Sequence, residues 1–145
     1  EDANAPGGDL LGWNASSTTL ILATAAEDAE GNILFSDPAR YISQKNNSIY
    51  YLNGSSLYKR TLAADITDNK AVTPCPPASS SPTCPADVKL LDKITSFSVK
   101  YFDGNNVEVS PPDARSVEAS VTMHDRKYGQ DINIDYTTRM VFRND

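Results

Sequence analysis

Residues 117–142 decide the fold. They begin Val117-Glu118-Ala119-Ser120-Val121-Thr122-Met123-His124 and pass through Tyr128-Gly129. They then run Ile132-Asn133-Ile134-Asp135-Tyr136-Thr137-Thr138-Arg139-Met140-Val141-Phe142. Val117, Ala119, Val121 and Met123 share one face, with Glu118, Ser120, Thr122 and His124 on the other. Ile132, Ile134, Tyr136, Thr138, Met140 and Phe142 alternate in the same way with Asp131, Asn133, Asp135, Thr137, Arg139 and Arg143. A period of two is that of a β-strand. Tyr128-Gly129 lies between the two runs as a hairpin loop, so the segment reads as a long antiparallel pair with one wet face.

Working outward, Phe97, Val99 and Tyr101 alternate with Ser96, Ser98 and Lys100 as a half-buried strand. Asp103-Gly104 turns it, Val107–Val109 follows, and Pro111-Pro112 ends that strand. Nearer the N-terminus, Thr18–Thr24 reads as a buried strand, and Ala25–Gly31 as a turn between strands. Ile33-Leu34-Phe35 is a short strand and Asp37-Pro38 a turn. Tyr41–Lys45 and Ser48–Leu52 read as strands on either side of an Asn46-Asn47 turn. Asn53-Gly54 signals a two-residue hairpin, because both central positions of a type I′ loop need φ > 0; Ser56–Leu62 returns from it. Residues 1–17 are an irregular lead-in in which Leu10, Leu11 and Trp13 can pack. No 3.6-residue apolar period extends beyond about two turns, and there are no internal repeats. The expected fold is mainly β: an antiparallel β-meander plus a C-terminal antiparallel sheet.

Residues 63–88 break the pattern. They hold five of the nine prolines and both cysteines, Cys75 and Cys84. Two thiols alone are short of a zinc site, and no C-x-x-C is present. A disulfide closing a stiff Pro-rich loop, kept compact by that bond, is the reading, and it implies an oxidising compartment.

The chain has 145 residues, the size of one domain, so 1–145 reads as a single globular domain. Ser, Thr and Asn make up 37 residues, a surface suited to an exported protein. The formal charge of −6 argues against a nucleic-acid or anionic-membrane partner met by charge alone. Fourteen Asp against five Glu favour turns and strands over helices. No apolar run approaches the roughly 20 residues of a membrane span. The chain starts at Glu1 without Met or a signal peptide and reads as a mature or trimmed piece.

Candidate chemistry is sparse. His124 is the only histidine, and its strand face is polar, so it points to water. Acidic groups recur at Glu27-Asp28 with Glu30, at Asp65 with Asp68, and at Asp131 with Asp135. They read as solvated turn and strand-face acids rather than a glycosidase pair. Asp65-Ile66-Thr67-Asp68-Asn69 lacks the calcium-loop pattern, and no glycine loop cradles phosphate. Asn14, Asn46 and Asn53 each begin an N-x-Ser acceptor pattern. Lys59-Arg60 and Arg126-Lys127 read as ordinary surface charge. No catalytic, cofactor-binding or metal residues are assigned.

The order of features carries a resemblance. Arg40-Tyr41-Ile42, Ser48-Ile49-Tyr50-Tyr51-Leu52 and Ser56-Leu57-Tyr58-Lys59-Arg60 precede a Pro-rich loop. After it come Leu90-Leu91-Asp92-Lys93-Ile94, Phe97-Ser98-Val99-Lys100-Tyr101-Phe102-Asp103-Gly104 and Val117–Met123. Thr137-Thr138-Arg139-Met140-Val141-Phe142-Arg143-Asn144 closes the chain. Over about residues 18–144 this resembles the soluble domain of a minor pilin, related to the J-type minor pseudopilin of type II secretion. The family's N-terminal hydrophobic helix is not in this chain.

The resemblance implies an α+β pilin in the full-length protein and a non-enzymatic structural subunit of a type IV pilus. That subunit primes assembly or caps the tip through contacts with other minor and major pilins. It implies an extracellular, cell-surface location with membrane anchoring before assembly, only through the missing helix. The isolated domain is expected to be monomeric. Two alternatives stand beside this reading: a type II secretion minor pseudopilin, and an extracellular β-sandwich adhesion module, which an exposed Tyr50, Tyr51 and Tyr58 cluster would favour.

Overall fold

The computed structural model describes residues 15–75 and 77–142. Its strands are β1 (Thr19–Ala25), β2 (Phe35–Asp37), β3 (Ile42–Ser43), β4 (Lys45–Asn53) and β5 (Ser56–Leu62), followed by β6 (Val88–Leu91), β7 (Ile94–Phe102), β8 (Ser116–Lys127) and β9 (Gln130–Val141). Helix among the described residues is limited to short 3-10 turns at Pro38–Arg40, Pro77–Ser79 and Pro111–Asp113. The mainly antiparallel β fold expected from the sequence is therefore present. A four-stranded sheet has the order β1-β4-β5-β6, a two-stranded sheet pairs β2 with β3, and a three-stranded sheet has the order β7-β8-β9. Leu10, Leu11 and Trp13 lie outside the described residues, as do Arg143 and Asn144.

The chain divides into two compact units. Among the described residues, one comprises Ile21–Tyr50 and Lys59–Val88. Its apolar centre includes Ala26, Ile49 and Leu62, all buried. Asn46-Asn47 is not the expected turn: both residues sit inside β4 and are buried. Burying an amide is tolerable only when its groups find partners. The Asn46 carbonyl oxygen accepts from the Ala64 amide at 2.9 Å and from the Asn69 amide group at 2.8 Å. Asn69 also donates to the Ala64 carbonyl and accepts from the Ala71 amide. A polar side-chain network thus stitches the strand to the Pro-rich excursion.

That excursion, expected over 63–88, runs between the end of β5 and the start of β6. Cys75 and Cys84 are joined by a disulfide, with Cα atoms 5.4 Å apart. Ser81 and Cys84 exchange two backbone hydrogen bonds inside the loop. The bond is not the only restraint, which corrects the expectation that it alone keeps the segment compact. Arg60 Nε donates to Asp87 at 2.9 Å, Lys70 pairs with Glu27, and Thr73 Oγ1 accepts from the Ala63 amide at 2.9 Å. Replacing Cys75 and Cys84 together by Ser is accordingly expected to cost roughly 2.5–3 kcal/mol of loop entropy and leave a folded protein. Urea unfolding of the double variant measures this. Complete loss of structure, or no shift of the midpoint, would contradict it.

The other unit comprises, among the described residues, 15–20, Tyr51–Tyr58 and 89–142. Phe97, Val99 and Tyr101 of β7 are buried, as their alternation indicates; Ile94, off that alternation beyond a register shift, is buried too, and Val117 of β8 is fully enclosed. The Tyr101 hydroxyl reaches the carbonyls of Ser16 and Thr19 at 3.3 and 3.4 Å, and burial pushes its ionisation upward. The Val99 amide donates to the Ser17 carbonyl at 2.8 Å. The strand expected to be buried at Thr18–Thr24 instead forms β1 with Leu20 alone buried.

Two hairpin loops differ in an instructive way. Tyr128 and Gly129 have φ of 52° and 78°, so both central residues are left-handed, the type I′ condition. Lys127 and Gln130 close that loop as a register pair. At the other hairpin Asn53 still belongs to β4, and Gly54-Ser55 form the loop. Only Gly54, with φ 61°, is left-handed there. Glycine at the first central position is the type II′ pattern, one residue later than the sequence reading placed it.

Candidate interaction surface

β8 and β9 pair without interruption over twelve register positions, from Ser116↔Val141 to Lys127↔Gln130. β7 accompanies them only from Phe102↔Ser116 to Ile94↔Met123. Beyond Met123 the hairpin continues as a two-stranded ribbon. Its root is tied to the chain before β7, where the His124 amide donates to the Lys93 carbonyl and Lys93 Nζ pairs with Asp125 at 2.6 Å. The Lys93 ammonium holds the Asp125 carboxyl below the usual range, helped by the Arg126 main-chain amide. That pairing is complete above the ordinary carboxylate range and is lost as acid protonates Asp125. Tyr128 stands fully exposed at the tip.

The apolar face of this sheet is unevenly covered. Phe97 opposes Val121, Val99 opposes Ala119, and Tyr101 opposes Val117. Val121 and Met123 then oppose Tyr136 and Ile134 on β9. Cover is complete at β7, partial at Val121 and Met123, and largely missing at β9. Ile134 is 53% and Tyr136 65% exposed, and Ile132 and Met140 are exposed as well. The expectation of one wet face is therefore corrected. β9 ends the sheet, pairs with no further strand among the described residues, and exposes both of its faces.

The polar face is ordered by its own contacts. Ser120 and Thr137 hydroxyls meet at 2.9 Å. Arg139 donates to Ser116 Oγ and to Asn106, and its guanidinium lies 4.2 Å from the centre of the Phe102 ring. These contacts left no signal in the alternation pattern. His124 is exposed, as its face indicates; its Nδ1 is 2.8 Å from Asn133 Oδ1 and its Nε2 3.7 Å from Asp131.

The other candidate residues make contacts of their own. Asp28 accepts from the Glu30 and Asn32 amides, and the Asn32 side chain, then its backbone, holds its carboxyl low. Glu27 is paired to Lys70. Asp68 occupies a left-handed turn position. Among the described residues no three His, Cys, Asp or Glu side chains form a possible metal group. Tyr51 and Tyr58 stack at 5.9 Å between centroids, across the β4–β5 hairpin, and are half-buried. In the other unit Lys59 Nζ lies 5.9 Å from the centre of the half-buried Tyr50 ring. The exposed tyrosines are Tyr41, Tyr128 and Tyr136 instead. Of the acceptor-pattern asparagines, Asn46 is buried, Asn53 is exposed at the end of β4 beside the hairpin loop, and Asn14 lies outside the described residues. No helix among the described residues is long and apolar enough to cross a membrane.

No protein-family model, characterised protein or solved structure matches this chain.

Proposed function

We propose that the chain is a non-enzymatic structural subunit, a minor pilin of a type IV pilus, that primes assembly or caps the tip by docking to other pilins. The observation that carries this reading is β9: twelve residues without proline, an edge that no other strand pairs among the described residues, and an apolar row of Ile132, Ile134, Tyr136 and Met140 in water. Free-standing proteins normally blunt such an edge with charges, prolines or bulges, because it pairs with other chains. A subunit held among neighbours has a use for it. The Cys75–Cys84 disulfide suits an extracellular, cell-surface site reached through an oxidising compartment. Contacts of one such domain are individually weak and gain strength when a filament aligns the subunits.

The test is deletion of the full-length gene in its host, followed by complementation with the parent and with His124→Ala. Loss of piliation or secretion on deletion, fully rescued by His124→Ala, supports a structural role. Intact piliation and secretion, with loss of a sugar- or host-binding phenotype instead, supports an adhesion module and overturns the proposal.

A further inference from the structure

The β4–β5 loop carries the only Asn-Gly pair in the chain, Asn53-Gly54. We infer that Asn53 is a site of spontaneous covalent modification, in which its side-chain amide is converted through a cyclic imide to an aspartyl or isoaspartyl residue. The chemistry needs only the chain and water. The Gly54 backbone nitrogen gives up its proton and attacks Cγ of Asn53. The new C–N bond forms, the Cγ–Nδ2 bond breaks, and ammonia leaves with the proton. Water then opens one of the two imide carbonyls, giving either the normal or the lengthened main chain.

Three observations favour this position over the other asparagines. Glycine presents no Cβ to hinder the attacking nitrogen, and Gly54 has nothing within 4 Å of where one would stand. Asn53, Gly54 and Ser55 are all exposed, at a hairpin end where local opening costs little. Several of the other amides are engaged: Asn46 accepts from Ala64 and Asn69, Asn32 donates to Asp28, Asn106 accepts from Arg139, and Asn133 meets His124, while Asn47 is buried. The corresponding Asp-Gly pair, Asp103-Gly104, is restrained because Asp103 Oδ1 accepts from the Asn105 and Val107 amides at 2.8 and 2.9 Å.

The product matters to its surroundings. Ser55 accepts the Ile94 amide at 2.9 Å, and Ser56 Oγ donates to Asp92 at 2.6 Å. An isoaspartyl link adds a methylene to the main chain just before these anchors and displaces both. It also adds one negative charge to the formal −6.

The folded parent, incubated in mildly alkaline buffer and digested with trypsin, tests this by mass spectrometry. The peptide 46–59 contains Asn46, Asn47 and Asn53 together, so the first two serve as internal controls. The expected result is an amide-to-acid mass gain at Asn53, with an isoaspartyl isomer present. Asn46, Asn47, Asn105 and Asn106 keep their amides. Asn53→Gln removes the change. Persistence of the Asn53 amide in the folded chain, or conversion spread evenly over these asparagines, overturns the inference.

Discussion

Tyr136→Asp and Ile134→Asp, each in the full-length protein, are expected to abolish incorporation of the subunit while leaving its fold intact. Both side chains are more than half exposed, so a carboxylate there meets water in the isolated domain, and the change in stability should stay within about 0.5 kcal/mol. Inside a docked interface the same carboxylate is desolvated without a partner. Large central side chains at interfaces commonly contribute about 2 kcal/mol or more, so each variant should weaken binding by at least roughly 30-fold. Co-purification with the neighbouring pilins, together with counts of pili per cell, measures the effect. Circular dichroism checks the fold. Normal assembly with either variant would remove β9 from the interface.

Ile49→Ala is expected to have the opposite signature, a loss of stability with no surface change. Ile49 is 1% exposed in the middle of β4. Truncation removes its transfer free energy and leaves a cavity, together costing about 2–5 kcal/mol. Against a total stability of about 5–15 kcal/mol for a domain, that is a large fraction. The urea midpoint should fall steeply, while Ile134→Ala moves it little. Equal shifts for the two variants would mean that the core has been misplaced.

The contrast between these isoleucines marks how far the fold and the surface were legible in the sequence. Alternation located the strands around Phe97, Val117 and Ile134 because a period of two is a local property. It could not tell whether anything lies over the apolar face, since burial depends on what the rest of the chain brings there. Val117 is enclosed and Ile134 is bare, yet they belong to identical patterns. Asn46-Asn47 failed for a related reason. Asparagine favours turns when nothing else engages its amide, but here Ala64 and Asn69, some twenty residues away, supply partners. Both Gly-containing hairpin loops were found from their dipeptides. The difference in their registers was not, because whether Asn53 closes β4 or enters the loop is settled by where the two strands end rather than by its own preference.

The Tyr128-Gly129 loop also bears on the order in which the molecule is built. Each of the twelve pairs between β8 and β9 forms by zipping outward from two adjacent residues, with little chain entropy lost per step. Hairpins of this kind close in roughly 1–10 μs. Joining β1 to β4 requires the intervening chain from Ala26 to Gln44 to be gathered first. The C-terminal hairpin should therefore be an early structure in refolding, with substitutions at Gly129 slowing the folding limb of the chevron more than they speed the unfolding limb.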